Sequence, residues 1–394
     1  MKQPTSRLPA LDGLRGLAIL SVLAWHYVAS IAPWESSWGQ AARTGLAFAW
    51  SGVDLFFVLS GFLIGGIVLD NRQAPNFVSV FYGRRALRIL PLYWLLLVAF
   101  AASGALLGGR ISAGADEWLH GNPQSLFTYL TFGQNIATGF FSPTVAEPGW
   151  LNVTWSLAVE EHFYLVVPLA LVVLPARVIP WALGSVVAAG PLIRWLLVTR
   201  SDASVYVVTP ARVDTLVLGV LCAWALRQPR LRAALTAPRL IAVAATLAAA
   251  LVATQLHDVG LAFPVLAYSA LGLFHACVLV LAVTRQRGAL AAVLRVPALQ
   301  RIGLLAYGLY LFHQPVNGLV HALLFDAAPA LTGWRAGAAT AVALATTFAL
   351  AELSWRVVEK PLISIGQRLR YVRAPSQASD TGASANAARE RAAA

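Results

Sequence analysis

The sequence predicts an all-α protein, a polytopic integral membrane bundle of about ten transmembrane helices. Two observations carry that reading. Of 394 residues, 58% are hydrophobic and 12% charged, with a mean hydropathy of +0.69. Soluble domains carry about 25% charged residues, so this chain could not cover a water-facing surface. Apolar stretches of about twenty residues, the length a helix needs to cross the hydrocarbon core, also recur from end to end.

The first stretch, 11–31 (LDGLRGLAILSVLAWHYVASI), carries Asp12, Arg15 and His26. An ionisable group in hydrocarbon costs roughly 2.5–3.5 kcal/mol even on lenient insertion scales, so these residues mark a candidate site. Arg15 and His26 are eleven positions apart, about three helical turns, which puts them on one face about 16 Å apart. The second span, 46–69, carries Asp54, and the third, 86–107, follows Arg84 and Arg85 and includes Arg88. The connection 108–153 is rich in Gly and Pro and is expected to fold over the outer mouth; within it, 126–141 is too interrupted to span. The fourth span, 154–174, contains Glu160, Glu161 and His162. Six more follow at 179–198, 209–227, 239–256, 261–283, 301–324 and 335–358, the ninth holding His313 ahead of Pro315. A membrane domain over 1–370 is thus expected, with a low-complexity tail over 371–394 that is polar enough to be disordered.

Basic residues set the orientation. With a cytoplasmic amino terminus, one side receives Lys2, Arg7, Arg72, Arg84, Arg85, Arg88, Arg177 and most later basic residues, while the other receives Arg43, Arg110, Arg200 and Arg335. Both termini are therefore expected in the cytoplasm, in a multi-pass protein of the inner (plasma) membrane. The formal charge of +12 reflects topology and not nucleic-acid binding. Cys222 and Cys277 lie within spans without companions at metal-ligand spacing, so neither a disulfide framework nor a metal site is expected. The first apolar stretch is long enough to span, which argues against a cleaved signal peptide.

Counting 1.5 Å per residue assigns depths. His26, Asp54 and Glu160 fall at one outer level on three helices, whereas Arg15 falls near the inner surface beside Arg85 and Arg88. Plainer readings stand beside these. Arg84 suits a snorkelling anchor, Glu160 and Glu161 suit an ion pair with Arg194 or Arg212, and His257, His275 and His321 suit helix packing. His120 suits a loop surface, and His313 suits either a kink or a site.

The strings LDGLRGLAILSVLAWH, GVDLFFVLSGFLIGG, RRALRILPLYW, WSLAVEEHFYLVVP, RVDTLVLG, LYLFHQPV and SWRVVEKPL occur in the order seen in the acyltransferase-3 family, and the chain resembles that family over about residues 8–365. The resemblance implies a membrane O-acyltransferase acting on bacterial surface glycans, lipids or small molecules. It implicates Arg15 and His26 in the first helix, Arg85 and Arg88 in the third, and Glu160, with Glu161 beside it, in the fourth. Many relatives read EEQFY where this chain has His162.

Chemistry joins the two readings. The expected donor, acyl-CoA (acetyl-CoA above all), carries phosphates that Arg binds bidentately, so Arg15, Arg85 and Arg88 are assigned to it. No permanently bound cofactor is expected. The acceptor hydroxyl, on a glycan, lipid-linked sugar or small molecule, needs a base within hydrogen-bond reach. Imidazole titrates near neutrality, so His26 is assigned as that base, with Glu160 or Asp54 as its orienting carboxylate. An acyl-histidine relay is an open variant. A proton-coupled transporter of a small polar or anionic solute is the rival class, since it too places His and carboxylates in the midplane.

Overall fold

A computed structural model describes residues 8–33, 35–141, 148–199, 202–256, 260 and 263–372. His257 and tail residues 373–394 lie outside the described residues. The protein is an all-helical membrane bundle. Its long helices are α1 (Pro9–Ala24), α2 (Gly52–Asn71), α3 (Phe77–Leu107), α5 (Thr154–Val173), α6 (Ile179–Val198), α7 (Thr209–Ala225), α8 (Ala237–Leu256), α9 (Tyr268–Thr284), α10 (Pro297–Phe325) and α11 (Trp334–Ser354). Two short helices matter below: α4 (Ala113–Leu119) between α3 and α5, and α12 (Lys360–Arg368) after α11.

Eight of the ten expected spans, among the described residues, are helices long and apolar enough to cross a membrane. The other two expected spans correspond to α1 and α10. Both are long enough, α1 because it runs on through a π-helical turn, Trp25–Ala29. Their charged and amide-bearing residues (Asp12, Arg15 and His26; His313, Gln314 and Asn317) dilute the apolar stretch. Those polar residues face protein: Asp12, His313, Gln314 and Asn317 are all buried. α6 and α8 are the opposite case, with 17% of their apolar windows buried. They line the periphery, where side chains meet lipid.

Sequence reading started the third span late. α3 begins at Phe77, nine residues before the expected 86. Its 31 residues make a rod of about 46 Å, longer than the ~30 Å hydrocarbon core. Arg84, Arg85 and Arg88 therefore sit two to three turns inside the helix instead of at its start. Arg84 donates to the Leu369 carbonyl and lies 5.1 Å from the Tyr371 ring centroid. It clamps the segment after α12 onto α3, an anchoring role.

Glycines set the helix spacing. A Cβ on Gly303 would lie 1.8 Å from the Asp12 carbonyl oxygen, and one on Gly16 would lie 2.3 Å from that of Leu299. α1 and α10 therefore touch backbone to backbone, as small residues permit in membranes. A second such contact joins α2 to α7, where a Cβ on Gly61 would meet the Leu216 carbonyl oxygen at 1.8 Å.

Candidate active site

The α1–α10 contact fixes what happens higher up the two helices. His26 follows Gly16 by ten residues, and His313 follows Gly303 by ten. Both helices climb about 15 Å over that interval, and the two imidazoles meet. His26 Nδ1 lies 3.2 Å from His313 Nε2, with ring centroids 4.9 Å apart. Tyr27 locks the arrangement: its Oη is 2.9 Å from the His313 carbonyl oxygen and 2.8 Å from Thr347 Oγ1 on α11.

The hydrogen-bond network assigns the tautomers. His313 Nδ1 sits 2.7 Å from the Tyr310 carbonyl oxygen, which accepts only, so that nitrogen carries the proton and Nε2 offers its lone pair. His26 Nδ1 must then be the donor, toward His313 Nε2 and toward the Val22 carbonyl oxygen at 3.0 Å. The π turn at Trp25–Ala29 loosens the α ladder where that carbonyl is taken up, a distortion often found at functional sites. By elimination the His26 lone pair is on Nε2, the one ring nitrogen of the pair with no protein partner among the described residues. His313 is fully buried and His26 is half-buried.

A large cavity opens between α1, α2, α3, α5, α10 and the segment after α11, with about 1040 Å³ of empty space, mouth included. Arg15, Arg85, Arg88 and Glu160 all line it, together with Tyr310 and Glu359. Arg15 donates to Asp12 at 2.9 Å. The Arg85 guanidinium lies 5.2 Å from the Tyr164 ring centroid, and Tyr164 donates to Glu160 Oε2 at 2.7 Å. Glu160 Oε1 accepts from Ser60 at 2.8 Å. Neither Arg85 nor Arg88 has a carboxylate within ion-pairing distance among the described residues, although Glu160 and Glu359 share the cavity wall with them. Its wall reaches the histidines through Tyr310, whose ring centroid is 5.7 Å from that of His313. Tyr310 is held by Ser156 at 2.6 Å and the Val153 carbonyl at 3.1 Å.

Sequence reasoning put His26, Asp54 and Glu160 in one layer; the structure does not bring them together. Depth counting ignores which way a side chain points. On α2, Val53, Phe57, Ser60 and Ile64 face the cavity. Asp54 lies on the face of Gly61 and Gly65, which packs against α7. There its fully buried carboxylate pairs with Arg212 at 2.7 Å. Arg212 also lies 4.2 Å from the Tyr268 ring centroid. Asp54 therefore does not orient His26. Nor does Glu160, which belongs with the arginines. The neighbour that orients His26 is His313, a neutral acceptor in the place expected for a carboxylate.

The other polar residues sort by contact. Glu160 lines the cavity while Glu161 turns off it, with Oε1 buried and unpartnered. Arg194 pairs with Asp214 at 3.0 Å, so neither Arg194 nor Arg212 serves the glutamates. His162 lies 2.6 Å from Thr209 and joins α5 to α7. His321 meets Thr340 at 3.0 Å, and His275 is buried with Nδ1 unpartnered. Glu359 had no reading from sequence. It is buried in the cavity wall, takes a hydrogen bond from Ser354 at 3.1 Å and packs on Gly308. The only signal for it was its place in the string SWRVVEKPL.

Residues 8–352 match the model of a family described as an acyltransferase domain, and the chain belongs to that family. It is 28% identical over 382 residues to the peptidoglycan O-acetyltransferase OatA of Listeria monocytogenes, covering 90% of this chain and 56% of that protein. It is 27% identical over 225 residues to the O-acetyltransferase OatA of Staphylococcus aureus, covering 55% of this chain and 34% of that one. The chain thus spans about half the length of the first of these relatives. No solved structure matches it.

Proposed function

We propose that this protein is a membrane O-acyltransferase that moves an acyl group, acetyl above all, from acyl-CoA to a hydroxyl of a polysaccharide or peptidoglycan-type acceptor. One observation carries the reading: a single cavity is lined by three arginines and by Tyr310, the residue packed on the histidine pair. Arg15, Arg85 and Arg88 suit the donor's phosphates, which planar guanidinium groups bind in bidentate fashion. Under the positive-inside reading, that end of the bundle is cytoplasmic, where acyl-CoA resides. The narrow pantetheine arm suits the reach from the arginines to Tyr310, the wall residue beside the histidine pair.

His26 Nε2 then takes the acceptor's proton as its oxygen attacks the thioester carbonyl. The C–O bond forms, the C–S bond breaks, and the proton passes to the departing thiolate. His313 holds His26 in the tautomer this requires and stays neutral itself. The names of the OatA proteins, O-acetyltransferases, support acetyl as the group and a cell-wall glycan as the acceptor class.

The test is protein in liposomes supplied with acetyl-labelled acetyl-CoA and a glycan oligosaccharide. Covalent label on the oligosaccharide that is lost in His26→Ala supports the reading. Movement of solute across the bilayer without covalent change supports a transporter instead. Ester content of surface polysaccharide in a deletion strain, against its parent, then identifies the acceptor.

A further inference from the structure

His120 is expected at a loop surface, yet it is the centre of a hydrogen-bonded series. Its Nδ1 lies 2.6 Å from Asp116 Oδ1 and its Nε2 lies 2.6 Å from Ser103 Oγ. Asp116 belongs to α4 and His120 caps that helix, while Ser103 lies one turn before the end of α3. Ser103 follows Arg88 by fifteen residues, so the series stands about 22 Å along α3 from the arginines. It shares nothing with the cavity described above.

We infer that Ser103, His120 and Asp116 form a second site, a serine nucleophile that takes acyl groups from carboxylic esters at the far end of the bundle. A carboxylate only accepts, so Asp116 fixes the imidazole with its proton on Nδ1. That leaves Nε2 as acceptor and makes the Ser103 hydroxyl the donor, the arrangement that activates a serine.

Trp150 adds an independent observation. It is 4% exposed and stacks on His120 with centroids 6.3 Å apart. Its indole N–H is buried and has no acceptor among the described residues. A donor left open on the residue stacked against His120 suits the oxyanion of a tetrahedral intermediate. The platform is braced on both sides. Ser112 at the start of α4 bonds Asp326 at the end of α10, and the Gly149 amide donates to the Trp118 carbonyl at 2.7 Å.

Ser103 Oγ attacks the ester carbonyl while His120 Nε2 takes its proton. The C–O bond to the alcohol breaks, and His120 returns the proton to the departing alkoxide, leaving acyl-Ser103 and a free alcohol. Water or a second hydroxyl then reverses the sequence and regenerates the serine. The substrate class is an O-acyl ester of an alcohol or sugar hydroxyl. This inference does not depend on the reaction assigned to His26.

Diisopropyl fluorophosphate tests it on the full-length protein in detergent micelles, with the adduct located by peptide mass spectrometry. Native protein is expected to carry the adduct on Ser103, and heat-denatured protein to carry none. Asp116→Asn keeps the side-chain shape but reverses the imidazole tautomer, so it is expected to slow labelling tenfold or more. His120→Gln is expected to do the same, which covers a failure of either variant to fold. An unlabelled Ser103 in folded native protein overturns the inference, and so does a rate that these folded variants leave within twofold of native.

Discussion

His26 suits the proposed chemistry because one of its nitrogens is committed and the other is not. Removing it would take away the proposed general base, so His26→Ala is expected to lower turnover about 10²–10⁴-fold. Donor affinity, measured by isothermal titration with acetyl-CoA, should remain, since the arginines line a cavity that His26 does not. His313 acts through His26. His313→Leu removes the acceptor at 3.2 Å and should lower kcat with little change in KM, whereas His313→Gln keeps an acceptor and should recover part of the loss. Equal kcat for native and Leu proteins would show that the contact is only packing. The two glutamates separate in the same way. Glu160→Gln alters a cavity-lining carboxylate with two donors and is expected to abolish activity, whereas Glu161→Gln should act mainly on folded yield. Sequence alone singled out His26 as a candidate because an imidazole in hydrocarbon needs a reason. It could not choose the partner, since depth along a helix says nothing of azimuth, and Asp54 at the right depth faces the wrong neighbour.

At the scale of elements, the glycines of α1 and α10 are what bring the histidines together. Gly303→Ala places a methyl 1.8 Å from the Asp12 carbonyl oxygen, a clash with backbone that only helix separation relieves. Overpacking of this kind costs about 1–3 kcal/mol or more. Thermal unfolding in detergent should show the loss, with turnover falling further than stability because the imidazoles part. Gly337→Ala on α11 is the control, since nothing lies within 4 Å of its added Cβ, and it should match native protein in both measurements. The pairing of α2 with α7 makes a similar case through charge. Asp54→Ala leaves Arg212 buried without its counterion, and breaking such a pair typically costs 3–5 kcal/mol. Folded yield of Asp54→Ala should collapse, and the double variant Asp54→Ala with Arg212→Met should recover much of it. The number and order of helices were legible in the sequence because apolar length decides them. The early start of α3 was not, since FVSVFYG is too short and mixed to count as a span, yet it continues a helix already formed.

On the scale of the whole molecule, the proposal requires a direction: the arginine cavity must open toward the compartment that holds acyl-CoA. Arg85→Ala with Arg88→Ala should weaken acetyl-CoA binding while leaving insertion intact, because neighbouring basic residues preserve the charge bias. Lys at both positions should restore binding only in part, for want of the bidentate fork. The orientation itself is tested with introduced cysteines. Native Cys222 and Cys277 lie within α7 and α9, Cys277 buried and Cys222 half-buried, so a membrane-impermeant maleimide should give little background. Gly109, exposed between α3 and α4, and Ser364, exposed on α12 beside the arginine end of α3, mark the two faces. Gly109→Cys is expected to label in intact cells, and Ser364→Cys only after the membrane is opened. The reverse pattern would put the arginines outside, away from cytoplasmic acyl-CoA, and the donor assignment would fall with it even though the helices, the cavity and the histidine pair stayed as they are.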